Sequence, residues 1–457
     1  MSEHNISIAT TLSALIAERK YATVRDILIT MNPSDIAYIF AELEEERLPL
    51  FYRLLPKELA ADTFVEMEPD AQELLIQGFS DSELREVLSE MYVDDAVDVI
   101  EEMPANVVRR ILSQADPQMR REINEILRYP EHSAGSIMTT EYVSLRPAMT
   151  VEEAILRIRR TGVDKETIYT CYVTKDRTLL GLVTVKDLLL AEDDEMTISE
   201  LMETNVISVN THTDQEEVAQ MFSHYNFLAF PVVDAEYRMV GIVTFDDAMD
   251  VMEDEATEDI EKMGGMLPSE RSYLRSSVFE LFKNRIFWLL FLMVSSTFTG
   301  MIITGFESAL AAQVVLTTFI PMLMGTGGNS GSQSSVTIIR SLSLGEVEFS
   351  DLWRVVWKEI RVSVLCGTAL SIACFGKLML IDRMLLGNPE VTVAVALVVC
   401  ITMALTVLAA KVVGAVLPLF AKKLGLDPAV MASPFITTIV DALSLLVYFG
   451  VANSMLL

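Results

Sequence analysis

The last stretch of the chain, Ala429 to Leu457, reads A-V-M-A-S-P-F-I-T-T-I-V-D-A-L-S-L-L-V-Y-F-G-V-A-N-S-M-L-L. A helix needs about 20 mostly apolar residues to cross a bilayer, and this stretch has them. Asp441 is the thirteenth of its 29 residues and the sole charge, so it falls near the middle of the span. A carboxylate there costs about 3 kcal/mol on insertion scales unless it meets water, a cation or a partner. We therefore expect Asp441 to face a water-filled path for a cation. The plainer alternative is an Asp bonded to a neighbouring helix, or held protonated.

Hydropathy marks four more spans upstream, giving five in all: about 286–306, 309–339, 355–381, 391–419 and 429–456. The loops at 340–361 and 421–427, with their helix ends, carry Arg340, Arg354, Lys358, Arg361, Lys422 and Lys423. Those at 305–308 and 382–390 carry essentially Arg383. The positive-inside rule then predicts a multi-pass protein of the plasma (inner) membrane, with its front half cytoplasmic and its C-terminus outside. The opening M-S-E-H-N-I-S has no basic region leading into an apolar core, so we expect no signal peptide.

The second span contains P-M-L-M-G-T-G-G-N-S-G-S-Q-S-S (321–335). Four glycines, Asn329, Gln333 and several hydroxyls suit either close helix packing or a hydrated wall. The side-chain amides favour the wall.

The net charge of −30 lies in the front half. From Asn284 onward there are nine acids and ten bases, whereas the first 283 residues hold 56 acids against 25 bases. Nucleic acid is not expected as a partner, because binding phosphates needs clustered Lys and Arg. Acidic surface is commonly just solvated, but it also suits hard cations, which prefer oxygen ligands. Cys171, Cys366, Cys374 and Cys400 show no C-x-x-C spacing, and the four His make no H-E-x-x-H motif. No nucleophile-and-base set appears, so an enzyme is not expected.

Residues 1–130 alternate proline-marked breaks with apolar residues three and four apart, such as Ile36, Ile39, Phe40 and Leu43. That is an array of amphipathic helices, with a capping box at Ser80–Glu83. One helix crowds Asp94, Asp95, Asp98, Glu101 and Glu102 together. Like charges at helical spacing repel, so either solvent or a divalent cation must relieve them.

Residues 131–254 repeat with a period of 60 to 64. M-T-T-E-Y-V-S-L (138–145) aligns with M-E-T-N-V-I-S-V (202–209), and G-L-V-T-V-K-D (181–187) with G-I-V-T-F-D-D (241–247). Each copy reads as helix, β-rich run, G-h-h-T-x-x-D segment and helix, and resembles a CBS-domain pair. The resemblance implies an adenine nucleotide, ATP or another, near Thr184, Asp187 and Thr244, with Tyr169, Lys186 and Phe227 as further contacts. Helix capping is the plainer role for the threonines. An acidic run follows, with nine carboxylates among the sixteen residues Asp246 to Glu261. Residues 255–283 read as an acidic connector ending in an amphipathic helix, Ser272 to Lys283, that leads into the membrane region, 284–457.

An α-helical N-terminal array, an α+β CBS pair and an α-helical membrane domain of five spans together resemble the MgtE family of magnesium channels. The signatures are P-M-L-M-G-T-G-G-N-S-G-S-Q-S (321–334), D-P-A-V-M-A-S-P (427–434) and Asp441. The resemblance implies a Mg²⁺-selective channel that forms a homodimer in the bilayer and closes when cytosolic Mg²⁺ is high. It implies a pore lined by Asp441, Asn329, Gln333, Gly325, Gly328 and Ser433, with Glu307 as an acid on the outer side. It also implies Mg²⁺ sensing by Asp94, Asp95, Asp98, Asp214, Glu216, Asp247, Asp250, Glu255, Glu258 and Asp259. Position 226 is Asn, where relatives can carry a carboxylate. The rival reading is an ion-coupled divalent-cation carrier with nucleotide sensing at the CBS pair.

Overall fold

A computed structural model describes residues 2–269, 273 and 276–456; the side chains of residues 2–7, 164, 308, 309, 312 and 433 fall outside that description. The chain divides into two compact units, Met1–Met252 and Glu253–Leu457.

In the first unit, ten short helices run from Ser2 to Ile126. Helix α1 (Asp81–Glu90) starts where the capping box predicts: Glu83 N–H donates to Ser80 Oγ at 3.2 Å, and Ser80 N–H donates to Glu83 Oε2 at 2.7 Å. The acidic helix is α2 (Val93–Glu101). Its Val93, Ala96, Val97 and Ile100 are buried in a core that continues to Phe222, Phe230, Val243 and Val251 of the repeat region. That burial, rather than helix propensity, holds a helix with so many acids in place.

The repeat forms two like halves. Strands β1 (Tyr142–Leu145), β2 (Thr167–Lys175) and β3 (Thr178–Thr184) make one sheet, with helices α3 (Val151–Thr161) and α4 (Val185–Leu189). Strands β4 (Val209–Asn210), β5 (Ala229–Val233) and β6 (Met239–Thr244) make the other, with helix α5 (Gln215–Tyr225). In each sheet the first pair is parallel and the second antiparallel.

The two repeated motifs pack on each other across the halves. A Cβ on Gly181 would lie 2.7 Å from the Glu203 carbonyl oxygen and 2.9 Å from Met202 Sδ. On Gly241 it would lie 2.6 Å from the Thr139 carbonyl and 2.8 Å from Met138 Sδ. Each glycine admits the methionine-led segment of the opposite copy. Asn226 ends α5 in the left-handed conformation at φ 55°, which Asn tolerates better than most side chains.

Helix α6 (Phe245–Met263) is continuous from the second G-h-h-T-x-x-D segment through the acidic run. Of the amphipathic stretch expected at Ser272 to Lys283, Ser272, Leu274 and Arg275 lie outside the described residues. From Val278 the chain forms one helix, α7 (Val278–Gly305), so the end of that stretch opens the first long apolar helix.

Four segments of the second unit are long and apolar enough to cross a membrane: Val278–Gly305, Phe349–Leu385, Val393–Lys423 and Pro428–Met455. The expected single span at 309–339 is instead three pieces: a short helix, Glu307–Ala312, a 3-10 turn, Val314–Phe319, and helix α8 (Ile320–Ser343). Its glycines and hydroxyls keep α8 out of the strongly apolar set. Helices α9 (Leu352–Gly376), α10 (Val393–Lys423) and α11 (Ser433–Met455) complete the bundle, with α8 packed on both α10 and α11.

Candidate cation sites

Two groups of oxygen donors stand out, one in each unit. In the first unit, α2 and the start of α6 bring carboxylates together. Asp94 is 6% exposed, and Asp95 is half-buried. Burial, then Asp95, raises the Asp94 carboxyl; burial, then Asp94, raises that of Asp247. Burial and Asp247 push Asp95 up to about 7. Asp98 is exposed at its surface, yet the protein packed around it and Asp247 push it up to about 8.

Glu141 and Glu166 join this group, which the sequence did not reveal. Burial and Asp94 raise Glu141 to about 7 and Glu166 to about 9. The Glu166 N–H donates to the Glu141 carbonyl at 3.0 Å, tying the two together. Asp94 Oδ1, Glu141 Oε2 and Glu166 Oε2 are buried without a hydrogen-bond partner. Such orphaned oxygens are costly, and a hard cation is the kind of partner that removes the cost. Among the described residues no three acids converge closely enough to grip a bare ion.

The other sensor candidates have different surroundings. Asp214 caps α5, accepting from the Glu216 N–H at 2.9 Å. Glu258 pairs with Lys262, whose Nζ also lies 2.6 Å from Asp427 Oδ2. Burial works against the Lys262 charge, but Asp427 and Glu258 outweigh it and raise its pKa. Asp427 in turn accepts from the Ala429 N–H at 2.7 Å, starting the turn that precedes α11. Asp250, Glu255 and Asp259 lie along α6.

Among the nucleotide candidates, Thr184 and Asp187 form a capping box at the start of α4. Thr244 Oγ1 likewise donates to Asp247 Oδ2. Tyr169 is 66% exposed, Lys186 is exposed, and Phe227 stacks on Tyr225.

In the second unit, α8 has two faces of different character. Gly327, Gly328, Ser330, Gly331, Ser334 and Ser335 are buried. A Cβ on Gly327 would lie 2.7 Å from Thr406 Cγ2, and on Gly331 2.8 Å from Ile436 Cγ2. On Gly328, expected at the pore wall, a Cβ would lie 3.1 Å from Thr437 Cγ2. Gly325, Asn329 and Gln333, four residues apart, form an exposed stripe beside that packed face. Packing and a polar wall are thus two sides of one helix.

Asp441 is half-buried on α11, one turn beyond Thr437, with no hydrogen-bond partner among the described residues. Ser433 heads the same row, but its side chain lies outside the described residues. Glu307 is exposed at the start of its short helix.

Residues 320–451 match the MgtE family described as divalent cation transporter, 31–132 the MgtE intracellular N domain, and 134–194 and 198–254 the CBS domain. The chain is 37% identical over 454 residues to the magnesium transporter MgtE of Thermus thermophilus, covering 98% of each. It is 31% identical over 441 residues to that of Bacillus subtilis, covering 96% of this chain and 95% of that one. Among solved structures it resembles the cytosolic domain of the Mg²⁺ channel MgtE in complex with ATP, with a TM-score of 0.51 and 38% identity. That match covers 53% of this chain and 99% of the other. The soluble part of a magnesium transporter matches with a TM-score of 0.51 and 31% identity, covering 56% and 100%. A chain that keeps such identity to magnesium transporters from end to end, with helical array, tandem repeat and apolar bundle in that order, belongs to the MgtE family.

Proposed function

We propose that this protein is a Mg²⁺-selective channel for magnesium uptake, closed by cytosolic Mg²⁺ bound to its acidic first unit. The observation that carries the gating half is the orphaned, mutually repelling set formed by Asp94, Glu141 and Glu166 with Asp95, Asp98 and Asp247. Mg²⁺ dehydrates reluctantly and keeps several waters, so acids too far apart to touch a bare ion can still hold its hydration shell. Binding neutralises the repulsion and draws α2 and α6 together; losing the ion lets them part.

The conducting half rests on Asp441 and the Gly325–Asn329–Gln333 stripe. Amide and carboxylate oxygens there accept hydrogen bonds from the water around the passing ion. An exposed polar stripe on an apolar bundle calls for cover, and a second copy of the chain supplies it. We therefore place the pathway at the axis of a homodimer in the inner membrane, the first unit cytoplasmic and the C-terminus outside. The resemblance to an ATP-bound cytosolic domain supports adenine nucleotide binding at the CBS pair.

The test is Mg²⁺ flux into liposomes by the full chain, with Mg²⁺ varied on the cytosolic side. Wild type should conduct and be inhibited by cytosolic Mg²⁺, and Asp441→Asn should lose conduction. Full conduction by Asp441→Asn refutes the pathway, and saturable turnover that needs a counter-ion gradient replaces the channel with a carrier.

A further inference from the structure

The bundle buries a second set of charges besides Asp441. Lys411, midway along α10, is 6% exposed, and its ammonium donates to Ser334 Oγ on α8 at 3.4 Å. The Ser334 hydroxyl donates to Glu359 Oε2 on α9 at 2.6 Å. A lysine this deep in an apolar helix is expensive, and intramembrane ionisable groups are retained for ion pathways far more often than for packing.

The set lies beside the proposed pathway. Ala410, next to Lys411, and Val440, next to Asp441, both pack on Gly331: a Cβ there would lie 3.2 Å from the Ala410 carbonyl oxygen and 3.2 Å from Val440 Cγ2. Lys411 and Asp441 are thus each one residue removed from the same glycine. On α8, Ser334 directly follows Gln333 of the exposed stripe, and Ser335 donates to the Met431 carbonyl at 3.2 Å, just before α11. One turn of α8 therefore touches the stripe, the charges and the root of the Asp441 helix.

We propose that Lys411 and Glu359, joined through Ser334, are positioning residues that set the electrostatic potential felt by the cation at Asp441. The inference rests on Asp441 belonging to the pathway. The bridge keeps a fixed positive charge close to the pathway yet nearly cancelled. Removing either partner uncovers a full charge of known sign beside the path of a divalent ion, enough to change its apparent affinity by about tenfold after screening by water.

The experiment measures KM and maximal rate for Mg²⁺ flux in liposomes holding the full chain, with Asp441→Asn in parallel. Glu359→Gln uncovers Lys411 and should raise KM about tenfold. Lys411→Met uncovers Glu359 and should lower KM, and the double variant should fall between the two. A purely structural bridge would depress both single variants alike, so KM changes of the same sign overturn the proposal. If Lys411→Met is not recovered folded, by its melting temperature in detergent, Lys411→Gln gives the same charge change and the same expected sign. Asp441→Asn with undiminished flux sinks the pathway reading instead, which keeps the two failures distinct.

Discussion

Asp94 on α2 raises the carboxyl of Asp247 on α6 above the ordinary carboxylate range, after burial as the larger cause, and Asp94 is itself raised by burial and then by Asp95. Their neighbours rise too, Asp95 and Glu141 to about 7 and Glu166 to about 9. Groups whose pKa is higher folded than unfolded hold extra protons in the folded state, so stability falls as pH rises through the window between. That window runs from the ordinary carboxylate value, about 4, to about 9. In EDTA, the full chain in detergent should therefore lose several degrees of melting temperature between pH 5 and pH 8.5. Mg²⁺ should restore most of the loss at pH 8.5 and add little at pH 5, where protons already neutralise the acids. A melting temperature independent of pH without Mg²⁺ would show that these acids do not repel.

The exchange of motifs between the CBS copies makes Gly181 and Gly241 equivalent in structure as well as in sequence. A methyl group on either meets a backbone carbonyl at 2.7 or 2.6 Å, and backbone gives way less readily than a side chain. Gly241→Ala should cost about 1–3 kcal/mol, as overpacking usually does. Gly78→Ala, where nothing lies within 4 Å, is the matched control on a helix. Urea denaturation of the two variants separates them if the packing is as described.

Local features were legible from sequence and long-range ones were not. The Ser80 capping box follows from residues three apart, and it is present. The three pieces within 309–339 were not legible, because apolarity alone carries no sign of a 3-10 turn before Pro321. Glu141 and Glu166 look like ordinary surface acids until the fold sets them beside Asp94, a contact spanning 47 and 72 positions. Lys411 and Glu359 were missed for a related reason. Charge counting assigns basic residues to helix ends, and only the packing of α10 against both α8 and α9 shows that one is buried. Residues of the MgtE signature segments were found because the resemblance supplied them, and the two faces of α8 then divided them between packing and stripe.

Capping and nucleotide binding can be separated at the CBS pair. Asp187 completes the capping box of α4, so Asp187→Ala should lower stability by about 1 kcal/mol whether or not nucleotide is present. Lys186 is exposed and has no part in that box. Lys186→Ala should leave the melting temperature unchanged while weakening ATP binding several-fold by isothermal titration. Equal ATP affinity in Lys186→Ala and wild type would remove this lysine from the nucleotide site.

The two faces of α8 predict opposite responses to a single methyl group. Gly414 of α10 meets Gly331 so closely that a Cβ would lie 2.2 Å from the Gly331 carbonyl oxygen, backbone against backbone. Gly325, on the exposed stripe, has nothing within 4 Å. Gly414→Ala must separate the helices and should cost about 3 kcal/mol, visible as a lower melting temperature in detergent and reduced yield. Gly325→Ala should gain slightly in stability, since Ala is the better helix former by up to about 1 kcal/mol. Its methyl group would narrow the hydrated wall instead, so Mg²⁺ flux should fall although the protein is no less stable. Unchanged flux in a well-folded Gly325→Ala would mean that the stripe faces lipid or a packed partner, and the pathway would have to be sought on another face of the bundle.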